Sequence, residues 1–169
     1  MYRHPAIPTL LLLTLALACE RAPTALAGAG RAPRFDLLDS PDLPVTTVDI
    51  KSEHLTGILP NGVPVVIRLK AEAQGTDAGS LTGSGRHFAS TGAHNYWPAT
   101  GSTDGTTATL SGTVTESNVP FLIGSPVEVV GNASTDAITL NFGPLAGGPF
   151  AGQTLVFTGT GKVSIAETP

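Results

Sequence analysis

The sequence predicts an all-β protein: a single antiparallel meander domain, either a β-barrel or a barrel-like β-sandwich, of about seven to nine strands. Three observations lead to this prediction. Several runs within residues 45–169 alternate apolar and polar side chains, as a half-buried strand does. The chain holds 20 glycines and 14 prolines, many of them clustered between those runs, where turns are expected. The same region has no sustained helical periodicity.

The first strands are predicted between residues 46 and 73. Val48 and Ile50 alternate with polar neighbours in residues 46–51. The clearest strand is residues 63–73, where one face carries Val65, Ile67, Leu69 and Ala71, and the other carries Val66, Arg68, Lys70 and Glu72. Pro60-Asn61-Gly62 precedes it and is a turn signal. We therefore predict a hairpin of residues 54–59 and 63–73.

Later strands follow the same logic, each separated from the next by glycine or proline. They are predicted at residues 107–115, 127–130, 138–142 and 155–165. Glycines inside strands often mark bends, and three such positions are Gly112, Gly159 and Gly161. Long strands that bend favour a barrel slightly over a sandwich.

The N-terminus has the features of an export signal. Arg3 and His4 precede an apolar run from Leu10 to Ala18, which ends at Cys19, the single cysteine of the chain. The run is shorter than the roughly 20 apolar residues that a membrane-spanning helix needs. We therefore predict that residues 1–18 are a signal peptide.

The segment Leu15-Ala16-Leu17-Ala18-Cys19 resembles the lipobox of bacterial lipoproteins. The resemblance implies that Cys19 is acylated and becomes the first residue of an exported, membrane-anchored lipoprotein of the cell envelope. Two alternatives are open. Cleavage after Ala25-Leu26-Ala27 would release a soluble secreted or periplasmic protein, and an uncleaved signal would itself be the anchor.

The composition changes again between the signal and the first strand. Residues 19–44 are rich in alanine, glycine and proline, so they bury too little apolar surface to offset their ordering entropy. We predict three parts: the signal peptide at 1–18, a lipid-anchored flexible tether at 19–44, and the all-β domain at 45–169.

The charge of the chain argues against one class of partner. Lys and Arg total 9 against 13 Asp and Glu, for a net charge of −4. Four of the nine cations precede residue 45, namely Arg3, Arg21, Arg31 and Arg34. The domain therefore lacks a basic stripe that would neutralise phosphates, and nucleic acid is not expected as a partner.

The candidate site lies between residues 86 and 104, which hold the single tryptophan and two of the four histidines. Loops carry functional residues disproportionately. The predicted ligand-binding residues are Arg86, His87, His94, Asn95, Tyr96 and Trp97. Tyr96 and Trp97 would offer aromatic faces to a ligand, and the others hydrogen bonds. The structural alternative is that Trp97 plugs one end of the domain, Tyr96 covers its edge and Pro98 ends the strand.

A metal site and a hydrolase active site are two further interpretations with weaker support. The candidate metal ligands are His87 and His94 with Asp104 or His54, and they lack the close spacing of known zinc ligands. Gly83-Ser84-Gly85 lacks the fuller G-x-S-x-G nucleophile motif. We therefore predict no catalytic residues, no metal and no cofactor.

A second unusual segment is the apolar run in residues 118–124. It would form either a lip over a cavity or a cover on one end of the core.

These features favour a lipid-anchored binding or interaction module that contacts an envelope protein or polysaccharide. The rival is a barrel that carries a small apolar ligand, with Phe121, Leu122, Trp97 and Phe150 near its mouth. An exported hydrolase is a third hypothesis. An apolar cavity of roughly 300 Å³ or more would favour the carrier, and a serine or acid about 3 Å from His87 or His94 would favour the hydrolase.

Overall fold

The computed structural model describes residues 43–169 of the chain. The predicted signal peptide, Cys19 and the tether up to residue 42 lie outside the described residues. The described elements are β1 (Val45–Ile58), β2 (Pro64–Gly75), β3 (Leu81–Ala89), β4 (His94–Thr103), β5 (Thr107–Thr113), β6 (Glu116–Ser117), the 3-10 helix η1 (Pro120–Leu122), β7 (Pro126–Asn132), β8 (Ala137–Phe142), β9 (Leu155–Thr160) and β10 (Lys162–Thr168).

Eight antiparallel strands close into a barrel, in the order β1, β2, β3, β4, β5, β7, β8 and β9. The barrel closes where Thr56 of β1 pairs with Thr158 of β9. β10 continues the closure along the other half of β1, from Val45 opposite Thr168 to Lys51 opposite Lys162. The predicted all-β meander is confirmed, and the architecture is the barrel.

The alternation in the sequence sets which side chains face inward. In β2 the side chains of Val65, Ile67, Leu69, Ala71 and Ala73 are buried, at 0–5% exposure, as the period-two pattern predicts. The hairpin of β1 and β2 is confirmed, but the two predicted runs before the turn form one strand. A β-bulge between Ser52 and Leu55 joins them and restores the inward register.

Hydrogen bonds of a buried serine stabilise the bulge. Ser52 is 3% exposed. Its hydroxyl donates to the carbonyl of Thr160 at 2.8 Å and accepts from the backbone N–H of His54 at 3.3 Å. These bonds tie the irregular part of β1 to the strand that closes the barrel.

Residues 86–104 form most of the β3–β4 hairpin instead of a loop. Pro98 does not end a strand: it lies within β4, between the part that pairs with β6 and the part that pairs with β5. Its missing N–H therefore falls where the ladder changes partner, a position at which proline is tolerated. The predicted strand at 155–165 is likewise divided, at Gly161, into β9 and β10.

The two ends of the barrel differ. Four connections meet at one end and are here called the mouth loops; they are residues 59–63, 90–93, 114–125 and 143–154. The opposite, closed end has shorter connections and a filled interior, where the buried side chains of Ile50 and Val163 lie against Gly131 of β7. Val45 and Thr168 are also at the closed end.

Candidate ligand-binding cavity

The interior of the barrel is hollow below the mouth loops. The cavity has a volume of about 330 Å³, within the size range of small-molecule sites. Its wall is built from inward-facing side chains of the strands, among them Val65, Ile67, Ala89, Phe142, Leu155 and Phe157. Within the described chain no Asp, Glu, Lys or Arg lines it. The space is therefore suited to an uncharged, mainly apolar molecule.

Two mouth loops supply an apolar rim. Phe121 and Leu122 of η1 line the cavity together with Phe150 of the loop at 143–154. Phe121 is 46% exposed, and its ring lies so close to Gly148 that a Cβ there would be 2.4 Å from it. The apolar run at 118–124 thus forms the lip that was one of its two predicted roles. Of the residues expected near the mouth, only Trp97 does not line the cavity; it lies deeper.

A polar pair interrupts the apolar wall. His87 of β3 and Asn95 of β4 are directly opposite in the ladder and are each 1% exposed. The Asn95 Nδ2 and the His87 Nε2 are 2.8 Å apart, so they share a hydrogen bond. Both residues line the cavity. His87 is one inward position deeper along β3 than Ala89, and Asn95 is two residues beyond Ala93, the last residue of the mouth loop that precedes β4.

Each member of this pair keeps a second polar atom without a partner. Within the described chain, neither His87 Nδ1 nor Asn95 Oδ1 makes a hydrogen bond, and the same holds for Nε1 of Trp97. Buried polar atoms nearly always have partners, because an unsatisfied one costs about 1–3 kcal/mol. The pair therefore has unused hydrogen-bonding capacity, on buried atoms beside an apolar space.

The His87 imidazole is uncharged at neutral pH. Desolvation by burial lowers its pKa from 6.5 to about 4, because the charged form is penalised away from water. Two aromatic rings enclose it: Phe142 edge-on at 4.9 Å and Trp97 at 5.3 Å between ring centroids.

The six predicted ligand-binding residues divide between the two faces of the sheet. His87, Asn95 and Trp97 are buried inside the barrel, whereas Arg86, His94 and Tyr96 are exposed on its outer wall. Strand alternation separates neighbours in sequence in this way. Tyr96 consequently does not cover the edge of Trp97, and no single ligand contacts both groups through the wall.

The outer group forms a separate cluster with Phe88. The Phe88 ring packs edge-on against His94 at 4.9 Å and against Tyr96 at 6.1 Å. The Arg86 guanidinium carbon is 6.0 Å from the centre of the same ring. Tyr96 is 39% exposed, so the cluster presents an aromatic face and a cation to solvent.

The catalytic interpretations gain no geometric support. Within residues 43–169 no three His, Cys, Asp or Glu side chains are grouped closely enough to hold a metal ion. Asp104 caps the β4–β5 turn, where its carboxylate accepts from the N–H groups of Thr106 and Thr107, and these bonds lower its pKa. Ser84 is exposed on the outer wall, on the opposite face from His87.

Sequence reasoning missed most of the cavity wall. Ala89, Phe142 and Leu155 line it, yet each is an ordinary inward-facing residue of an amphipathic strand. Only their positions in the sequence could have indicated this role, because each is the inward-facing residue nearest the mouth end of its strand.

Comparison of the chain with protein-family models, with curated proteins and with solved structures gives no match. No helix in the described part of the chain has the length and apolar character needed to cross a membrane. Inferences about function therefore depend on the geometry of the barrel itself.

Proposed function

We propose that this barrel binds a small, mainly apolar molecule in the cavity beneath the mouth loops. The observation that carries the proposal is the cavity itself: about 330 Å³, open at one end and free of charged lining residues within the described chain. This volume exceeds the roughly 300 Å³ above which a barrel that carries a small apolar ligand is the favoured hypothesis. An apolar ligand gains free energy by leaving water for such a wall.

Size narrows the ligand class further. A cavity of about 150 Å³ accommodates one benzene molecule, so this one has room for two fused rings or a branched chain of similar bulk. The exposed Phe121 ring at the rim would cover the outer end of such a ligand.

The test is titration with 1-naphthylamine, an uncharged compound of two fused rings whose fluorescence responds to the polarity of its surroundings. The full chain carrying Cys19→Ser is made by cell-free synthesis without membranes, so that it is neither exported nor acylated. We expect saturable binding at one site. Ala89→Phe adds six carbon atoms to the cavity wall and should abolish the signal.

Ala137→Phe is the matched control, because Ala137 is exposed on β8 and far from the mouth loops. It should bind like the wild type, and circular dichroism should show both variants folded. Equal binding by a folded Ala89→Phe variant, or no binding by the wild type, would contradict the proposal.

We also propose that the barrel is exported and held at the cell envelope by lipid on Cys19. The support is the sequence alone: the lipobox-like segment that ends at the single cysteine. A carrier fixed near a membrane would lie close to a source of apolar molecules.

A second candidate function concerns the outer cluster of Arg86, Phe88, His94 and Tyr96, for which we propose contact with an envelope polysaccharide. The specific support is the half-exposed Tyr96 ring beside a cation and an imidazole, since sugars stack on aromatic faces and bind polar side chains. Co-sedimentation with insoluble cell-wall polysaccharide should fall with Tyr96→Ala. Val156→Ala, at an exposed residue of β9, is the control and should have no effect.

A further inference from the structure

We propose that the ligand of the cavity is uncharged and has one polar end that both donates and accepts a hydrogen bond, as an alcohol does, placed against His87 and Asn95. This inference rests on the proposed binding function and specifies the chemistry of the ligand.

The hydrogen-bonding pattern of the pair leads to this class. If Asn95 Nδ2 donates to His87 Nε2, the proton of the neutral ring is on Nδ1, which is then a free donor, and Asn95 Oδ1 is a free acceptor. If the amide is turned over, the ring donates through Nε2 and Nδ1 becomes the free acceptor, while the amide nitrogen is the free donor. Either arrangement offers at least one donor and one acceptor, which a hydroxyl group complements.

The absence of charge in the ligand follows from the surroundings. Within the described chain the cavity wall has no ionised side chain, and Arg86 and His94 are on the other face of the sheet. Burying an unpaired carboxylate or ammonium group in such a space is strongly unfavourable. A charged ligand would have nothing of opposite sign to contact.

The position of the pair sets the orientation of the ligand. His87 and Asn95 lie deeper than Ala89 and Ala93, and the rim carries Phe121 and Phe150. The polar end of the ligand therefore points into the barrel and its apolar part toward the mouth. Phe142, which also lines the cavity, packs edge-on against the His87 ring at 4.9 Å.

The experiment compares four compounds that share two fused aromatic rings: 2-naphthol, 2-methoxynaphthalene, naphthalene and 2-naphthoate. The first donates and accepts, the second accepts only, the third does neither and the fourth is an anion. Isothermal titration calorimetry at pH 7 uses the full chain carrying Cys19→Ser. 2-Naphthol can make two hydrogen bonds to the pair, whereas 2-methoxynaphthalene can make one and naphthalene none. We therefore expect 2-naphthol to bind about tenfold more tightly than either of them. The anion 2-naphthoate should bind more weakly than naphthalene.

The double variant His87→Leu, Asn95→Leu assigns the preference to the pair. Replacing both partners with apolar groups of similar size avoids leaving one of them unpaired. We expect 2-naphthol to lose its advantage while naphthalene binds at least as tightly as before. His54→Leu, at an exposed residue of β1 that does not line the cavity, is the control and should leave the order of affinities unchanged.

The outcomes separate this inference from the proposed function. Equal affinity for the three uncharged compounds, or tighter binding of 2-naphthoate, would overturn the inference and leave apolar binding intact. A preference for 2-naphthol that survives the double variant would overturn the assignment to His87 and Asn95. If no compound binds, the proposed function itself fails. Should the double variant not fold, the order of affinities in the wild type still decides.

Discussion

The indole ring of Trp97 packs directly against the backbone of Gly85 on the neighbouring strand. The two residues are directly opposite in the β3–β4 ladder, and a Cβ at position 85 would be 2.2 Å from the indole. At Gly112, on the other side, a Cβ would be 2.1 Å from the Pro98 carbonyl oxygen and 2.6 Å from the same ring. Gly85 makes room chiefly for the tryptophan and Gly112 for the tryptophan and the β4 backbone; Trp97 is buried at 2% exposure beneath the cavity.

Gly85→Ala should therefore destabilise the barrel. The added methyl group forces the indole or the backbone to move, and overpacking of this kind costs about 1–3 kcal/mol or more. Chemical denaturation followed by circular dichroism, a signal that does not depend on Trp97, measures the loss. Gly79→Ala is the control, because a Cβ there meets only the Asp77 side chain, at 3.3 Å. The cost should shrink in a Trp97→Leu background, and an equal cost in both backgrounds would show that the indole is not its cause.

The buried imidazole of His87 predicts a pH dependence of stability. Its pKa is about 4 in the folded protein and near 6.5 when exposed, so the unfolded chain binds more protons between these values. The free energy of unfolding should therefore fall as the pH falls from 6.5 to 4, by about 3 kcal/mol from this residue. Urea denaturation at several pH values tests this.

The variants isolate the contribution of His87 from that of the carboxylates. His87→Gln has no titrating ring, so its stability should decline less steeply over this range than that of the wild type. His94→Gln should retain the wild-type slope. Parallel curves for the wild type and His87→Gln would mean that folding does not lower the pKa of His87, contrary to the burial argument.

Two mouth loops are linked by one buried hydroxyl. Ser125 is 0% exposed, and its Oγ accepts from the backbone N–H of Ala146 at 2.9 Å. Ser125→Ala should reduce the free energy of unfolding by about 1 kcal/mol and speed amide hydrogen exchange at Ala146. Ser164→Ala serves as the control, since its hydroxyl makes no hydrogen bond to the described part of the chain. Unchanged exchange at Ala146 would show that the bond does not restrain the loop.

The proposed lipid anchor predicts a change of location. In the native host, Cys19→Ser should move the protein from the membrane fraction to the soluble exported fraction and abolish incorporation of radiolabelled fatty acid. Mass spectrometry of the wild type should show an acylated Cys19 as the first residue. An unmodified mature protein beginning at Gly28 would instead establish cleavage after Ala27.

Much of the barrel could be predicted, because β2 and β5 follow the alternation that a half-buried strand requires. The β3–β4 hairpin could not, since Gly83, Gly85 and Pro98 look like strand breakers when each is considered alone. Two of them are explained only by neighbouring strands. Gly85 leaves room for the Trp97 ring on β4, and Pro98 lies where β4 changes its pairing partner from β6 to β5. The same hairpin carries His87 and Asn95, so missing it also hid the alternation that separates the inner from the outer candidate residues.

The pairing of Val45 with Thr168 has a practical consequence for handling this protein. Both strand termini leave the barrel on the side away from the opening. A purification tag, a fluorescent fusion or a sensor surface joined after Pro169 would therefore leave the entrance facing solution, so ligand uptake can be measured on immobilised protein without blocking its route in.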